Sequence, residues 1–183
     1  METTSLWKCL FLLLCSQTCA LGCRWIANGY NIVSRDALSL INKMGGEIVV
    51  DTGDVRFPQP LYNRARKMSM EHKIAFVNEN FRHLLHLYAG NLDSVTWDRS
   101  LLNEFTEVLH RQAREMRSCA GTKQAPKKQH KKLQAYFKKL EKSILKKTKY
   151  SADAWEIVRH HVIRHLQELN RLANLMRKEM QKL

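Results

Sequence analysis

Residues 149–172 read KYSADAWEIVRHHVIRHLQELNRL, and this stretch decides the fold class. Ser151 is a favourable helix N-cap residue, and Asp153 places a negative charge near the positive end of the helix dipole. Apolar residues follow at spacings of three and four, with neither glycine nor proline between them: Trp155, Val158, Val162, Leu166 and Leu169. The spacing predicts a long amphipathic helix whose apolar stripe faces inward, with Trp155 as its core anchor.

Four earlier segments show the same periodicity, at about residues 25–44, 74–90, 97–119 and 129–147. The connection from Glu47 to Arg66 is long and holds the one strand candidate, the letters EIVV at 47–50. Five apolar stripes can be buried only against one another, which predicts an all-α bundle. The long first connection allows an up-up-down-down order, although a simple up-and-down bundle fits the spacing as well.

The first 22 residues have the layout of a secretory signal peptide, with one lysine before an apolar centre and small residues at Ala20 and Gly22. The apolar run is too short to cross a bilayer. We therefore expect residues 1–22 to be cleaved, which leaves a secreted, extracellular helical domain at residues 23–183. That domain keeps two cysteines, Cys23 and Cys119, which predict one disulfide; two free thiols are the alternative.

The chain carries a net charge of +14, and its positive charge is concentrated in one segment. Residues 121–149 hold eleven lysines and a single acid, Glu141. A patch of this kind favours acidic partners such as heparan sulfate. We expect that patch on the fourth helix, at Lys127, Lys128, Lys131, Lys132, Lys138 and Lys139; a solvated polar face is the alternative.

Several other classes of protein lack support in the sequence. No phosphate-binding glycine loop, nucleophile elbow or HExxH pattern occurs, so we expect no enzyme and no cofactor. The pairs His161/His165 and His83/His86 have a metal-compatible spacing but no identified further ligand, so we expect no metal. The basic segment contains no arginine to read bases, which argues against nucleic acid. Its narrow apolar stripe argues against membrane insertion.

The letters KYSADAWEIVR at 149–159 resemble the segment that opens the last helix of type I interferons. Three further elements are similar to that family: YFKKL at 136–140, RFPQ at 56–59 and SVTWD at 94–98. Asp153 stands where many members have cysteine, so the resemblance implies the two-cysteine (group I) subgroup of fish interferons, with a Cys23–Cys119 bridge. It implies a four-to-five-helix class II cytokine bundle, up-up-down-down with a long first connection.

The resemblance also implies partners and a site. The partners would be two class II cytokine receptor chains, which the cytokine brings together so that their cytoplasmic kinases trigger transcription of antiviral genes. Carried over position by position, the high-affinity receptor face falls on the last helix and the first connection, at Arg159, His160, Ile163, Arg164, Gln167 and Phe57. The second chain would bind the second and third helices. The alternative is a cationic secreted protein that binds glycosaminoglycan or microbial membranes through its charge.

Overall fold

The computed structural model describes residues 23–47 and 55–182. Within those ranges the chain forms seven α-helices and no strand. The helices are α1 Arg24–Asn28, α2 Tyr30–Lys43, α3 Gln59–Ala65, α4 Met70–Tyr88, α5 Arg99–Ala120, α6 Lys127–Leu140 and α7 Ala152–Met180. A π-helical turn, Glu141–Lys146, continues α6. The predicted signal peptide and all but the first residue of the EIVV strand candidate lie outside the described residues.

Contacts between helix ends give the direction of each long helix. The end of α2 lies at the start of α5, where the Asp98 amide donates to the Met44 carbonyl at 2.9 Å. The start of α4 meets the end of α7, because Lys73 donates to both carboxylate oxygens of Glu179 at 2.6 Å. The end of α4 meets the start of α5, where Tyr88 and Phe105 have centroids 5.1 Å apart.

Helix α2 therefore runs antiparallel to α5, and α4 runs antiparallel to both α5 and α7. Since α2 and α4 point one way and α5 and α7 the other, the four helices form an up-up-down-down bundle. The end of α2 and the start of α4 therefore lie at opposite ends of the bundle, which requires a long connection between these two parallel helices. The predicted all-α bundle with a long first connection is confirmed.

The disulfide joins the first described residue to the last turn of α5. Cys23 precedes α1, and Cys119 lies in the last turn of α5, 96 residues along the chain. Their Cα atoms are 5.2 Å apart, within the usual range for a bridge. The predicted Cys23–Cys119 bond is confirmed, and the alternative of two free thiols is wrong.

Local structure departs from the sequence-based prediction at three places. The first helix is two pieces, α1 and α2, which meet at Gly29, where a Cβ atom would lie 2.4 Å from the Trp25 ring. The long connection contains the short helix α3, which the prediction missed. The fourth predicted helix, α6, ends in a π turn, after which Lys149 and Tyr150 adopt positive φ angles of 54° and 59°.

Candidate functional site

Helix α7 begins as the sequence indicates. The Ser151 side chain accepts from the Ala154 amide at 3.3 Å, and Asp153 lies exposed in the first turn. Trp155 is 0% exposed; its indole nitrogen donates to the Asn91 carbonyl at 2.9 Å. This tryptophan therefore ties α7 to the connection between α4 and α5, in the core position that its spacing predicts.

Arg159 is the first of three candidate receptor contacts that the structure buries. Its side chain is 0% exposed and donates to the Ile41 carbonyl at 2.9 Å and to the Gly46 carbonyl. Its Nε donates to Glu156 at 2.7 Å. The last carbonyls of a helix have no partner within the helix, and this guanidinium supplies donors for them at the end of α2. A receptor contact at Arg159, as the resemblance implies, would need an exposed side chain, and Arg159 is buried.

Phe57 and Ile163 are also buried, at 9% and 6% exposure. Phe57 stacks on Tyr62 of α3, with ring centroids 5.5 Å apart, because the connection folds back over α7. A receptor contact at Phe57 or Ile163, as the resemblance implies, would need an exposed side chain, and both side chains are buried. The connection between α2 and α4, together with its helix α3, covers a flank of α7 that an isolated amphipathic helix would leave in solvent.

Arg164 packs against the ring of Phe57. Its guanidinium carbon is 4.1 Å from the centroid of the Phe57 ring, a cation–π arrangement. One helical turn later Gln167 is exposed, and Arg171 follows it with 65% of its side chain exposed. Arg66, just after α3, has a side chain 36% exposed. We name Arg66, Arg164, Gln167 and Arg171 the arginine face.

The buried Glu168 links two residues of the arginine face, Arg66 and Arg171. Its side chain is 5% exposed and accepts from Arg66 on one oxygen and Arg171 on the other. The carboxylate neutralises part of the positive charge but lies beneath it. The surface offered to solvent is therefore a set of guanidinium groups with free donors, spaced to pair with carboxylates on a partner.

The histidines of α7 point into the bundle, except for His160, which is half-buried. His165 Nδ1 bonds the Tyr62 hydroxyl, and His161 Nδ1 lies 2.9 Å from the Tyr136 hydroxyl. Burial lowers the pKa of His165 well below its ordinary value, and the charge of His161 acts in the same direction. Among the described residues, no three histidine, cysteine or carboxylate side chains are placed to hold a metal ion.

A second surface is a cleft of about 980 Å³ lined by α4, α5, the loop after α5 and one residue of α6, His130. Its basic lining residues are Arg82, Arg114, Arg117 and Lys123, together with His110 and His130. At its floor Glu79 is 8% exposed, and Oε1 of its carboxylate pairs with His130 and Arg82. The other carboxylate oxygen is buried without a hydrogen-bond partner in the described part of the chain.

The predicted lysine patch lies on α6. All six lysines are exposed, while Leu133, Tyr136, Phe137 and Leu140 form the buried stripe on the other side of the helix. Glu141, in the following π turn, pairs with Lys146 at 2.8 Å, and this bond raises the pKa of Lys146. Glu141, the acid nearest to these six lysines in sequence, therefore pairs with a lysine outside the patch.

The comparisons with known proteins agree with one another. A family model described as the interferon alpha/beta domain matches residues 28–176. Interferon a3 of Oncorhynchus mykiss is 39% identical over 177 residues, which are 96% of this chain and 99% of that relative. Interferon alpha-2 of Equus caballus is 30% identical over 173 residues, 87% of this chain and 91% of the relative.

Two solved structures share the fold. Zebrafish interferon 1 superposes with a TM-score of 0.75 at 31% identity, over 85% of this chain and 100% of that structure. Zebrafish interferon 2 superposes with a TM-score of 0.63 at 23% identity, over 77% of this chain and 97% of that structure. The similarity extends over the whole bundle, so it includes both the arginine face and the cleft.

Proposed function

This chain belongs to the type I interferon family, and from that premise we propose that it signals by bringing two different class II cytokine receptor chains together. Family membership makes it an antiviral cytokine, a secreted class of protein. Interferons are not enzymes, which confirms the expectation that this chain has no enzymatic activity. None of the described helices is long and apolar enough to span a membrane.

The arginine face is our proposed site for the high-affinity receptor chain. It replaces part of the site expected from the sequence, because Arg159, Ile163 and Phe57 are buried. Of the positions expected from the sequence, Arg164 and Gln167 belong to the arginine face. His160, also expected there, is half-buried and lies one helical turn before Arg164. The observation that carries the proposal is Arg164 held over Phe57: packing fixes the guanidinium in place, so binding loses less side-chain entropy there than at a mobile arginine.

The cleft between α4 and α5 is our proposed site for the second receptor chain. None of its lining residues comes from α3 or α7, so both chains have separate surfaces. Its four basic side chains favour an acidic partner surface. We expect the kinases bound to the two receptor tails to start transcription of antiviral genes once the chains are brought together.

We also propose that this chain is a member of the two-cysteine subgroup. After residue 22, the only cysteines are Cys23 and Cys119, and they pair with each other. Asp153 occupies the position at which the resemblance expects a cysteine, and it lies exposed in the first turn of α7. The alternative, a cationic secreted protein whose activity is the binding of glycosaminoglycan or microbial membranes, is not favoured, because the interferon family model covers residues 28–176.

Binding measurements with purified ectodomains of both receptor chains test the receptor proposal. Arg164→Glu with Arg171→Glu should weaken binding of one chain by about 10-fold or more and leave the other unchanged. Arg114→Glu with Arg117→Glu should show the reverse selectivity. Arg35→Glu with Lys43→Glu, exposed residues of α2, makes the same charge change away from both surfaces and should affect neither chain.

A reporter assay for interferon response in cultured fish cells completes the test. Each receptor-surface variant should lose potency, and the α2 control should keep it. The proposal is overturned if both surface variants weaken the same receptor chain. It is equally overturned if the α2 control loses as much binding as they do, since binding would then follow total charge.

A further inference from the structure

The lysine-rich surface of α6 belongs to neither proposed receptor site. We name Lys127, Lys128, Lys131, Lys132, Lys138 and Lys139 the lysine face; all six are exposed on α6. The arginine face comes from α7 and the chain after α3, and none of these six lysines lines the cleft between α4 and α5. A ligand on the lysine face therefore need not displace a receptor chain from either surface.

The lysine face is not neutralised by the protein itself. Among the described residues, no carboxylate forms a salt bridge with any of the six lysines. Residues three or four positions apart on a helix have Cβ atoms about 5–6 Å apart, less than the Debye length at physiological salt. Lys128 with Lys131, and Lys128 with Lys132, therefore repel each other, and a bound polyanion would relieve that repulsion.

The shape of the lysine face narrows the choice of polyanion. The six lysines lie along a helix of 14 residues, which is about 21 Å long. Gln134 and Ala135 are the other exposed residues between Lys132 and Lys138, so no large apolar side chain is available to enter a lipid surface. The apolar side of α6 packs in the core, which prevents the helix from lying amphipathically in a membrane.

Lysine chemistry points the same way. An ammonium group is a compact point charge with three rotatable donors, and it does not impose the planar, bidentate geometry of a guanidinium. A row of such groups suits a linear chain whose anionic groups repeat at variable positions. Sulfated polysaccharides have this character and are present where secreted cytokines act, on the surface of cells.

We propose that the lysine face of α6 binds a linear sulfated polysaccharide of the heparan sulfate type, independently of the receptor chains. Binding there would retain the cytokine near the cell surface and raise its local concentration at the receptors. This inference goes beyond receptor bridging and does not depend on which receptor chain contacts which surface. Its energy would come from charge neutralisation, so it would weaken as salt rises.

Heparin-affinity measurements with two matched variants test the proposal. The first variant carries Lys131→Gln, Lys132→Gln, Lys138→Gln and Lys139→Gln. The control carries four substitutions at exposed cations elsewhere: Arg35→Gln, Lys43→Gln, Arg99→Gln and Lys178→Gln. Each variant loses four positive charges, so a difference in heparin affinity between them reports the position of the charges and not the total charge.

We expect the lysine-face variant to bind heparin at least about 10-fold more weakly than the unmodified chain at physiological salt, and the control to change by less than about threefold. The slope of log affinity against log salt should fall by about one for each lost contact in the lysine-face variant. Circular dichroism should give the same helicity for all three proteins. Both receptor ectodomains should bind all three equally.

Three results would overturn the proposal. Equal loss of heparin affinity in the two variants would show that total charge alone drives binding. Stronger retention on phosphatidylserine vesicles than on heparin would assign the face to a lipid surface. Loss of receptor affinity in the lysine-face variant alone would make α6 a receptor contact. If the arginine-face variants do not affect receptor binding, only the receptor proposal is overturned.

Discussion

The guanidinium of Arg159 on α7 donates a hydrogen bond to the main-chain carbonyl of Ile41 on α2, 118 residues earlier, at 2.9 Å. Its other terminal nitrogen reaches the Gly46 carbonyl, so one side chain holds the end of α2 and the first residues of the long connection. Arg159 therefore ties α7 to the end of α2. The Arg159 side chain is 0% exposed, so its donors are used within the fold.

Replacing Arg159 should therefore cost stability. Arg159→Ala removes the donors to the Ile41 and Gly46 carbonyls and to one oxygen of Glu156, whose other oxygen keeps the Trp97 indole N–H. We expect a loss of about 3–5 kcal/mol in the free energy of unfolding. Urea titration followed by circular dichroism measures it. Arg164→Ala, at a half-buried position, should cost less than about 1 kcal/mol. If Arg159→Ala lowers the free energy of unfolding as little as Arg164→Ala does, the buried hydrogen bonds of Arg159 do not stabilise the fold as we expect.

Gly45 should tolerate no side chain. A Cβ atom there would lie 2.6 Å from Arg159 Nε and 2.9 Å from the Trp97 indole nitrogen. We expect Gly45→Ala to lower the free energy of unfolding by about 1–3 kcal/mol, because it displaces the buried guanidinium. The neighbouring residue is the control: a Cβ on Gly46 meets nothing within 4 Å, so Gly46→Ala should be neutral or slightly stabilising.

The disulfide should contribute strongly to stability. It closes a loop of nearly a hundred residues, for which the chain-entropy model gives about 4–5 kcal/mol. The double variant Cys23→Ser, Cys119→Ser should unfold at a correspondingly lower urea concentration while keeping its helicity at low temperature. Intact-mass analysis of the unmodified protein should show no alkylation before reduction and two alkylated thiols after it.

Stability should fall at mildly acidic pH, in part because of His83. Burial against Phe137, helped by the charge of Arg82, lowers the pKa of His83 from 6.5 to about 4. The unfolded chain therefore binds a proton more readily than the folded one. The contribution of His83 is full above about pH 6.5 and is lost as the pH falls toward about 4.

Urea titrations at about pH 7 and about pH 4.5 measure this effect of His83. His83→Gln should reduce the difference in unfolding free energy between the two pH values. His86→Gln, on the exposed side of the same helix, should leave the difference nearly unchanged. An unchanged pH dependence in His83→Gln would show that the buried imidazole is not responsible.

The turn before α7 should be improved by glycine. Lys149 has a φ angle of 54°, a conformation that residues with a Cβ atom adopt at a cost of roughly 1 kcal/mol. Lys149→Gly should therefore raise the melting temperature. Lys147→Gly removes the same charge two residues earlier, where φ is −61°, and should lower it. A loss of stability in both variants would show that the Lys149 backbone is not strained.

Much of the bundle follows from the sequence alone. The spacing of apolar residues predicts five helical segments, since a helix that packs on one side repeats its buried residues every three to four positions. Cys23 and Cys119 predict the bridge because they are the only cysteines after residue 22, where we expect cleavage. The letters around Trp155 identify the family, and Trp155 is buried as its place in the stripe indicates.

Tertiary structure alone decides which side chains remain on the surface. The stripe of α7 predicts which residues face the core, but the end of α2 and the connection through α3 cover further sides of the same helix. Arg159 and Phe57 are buried for this reason, and Arg66 joins Arg164 in the arginine face. Helical periodicity is a property of one segment, whereas exposure depends on partners that lie about a hundred residues away in the chain.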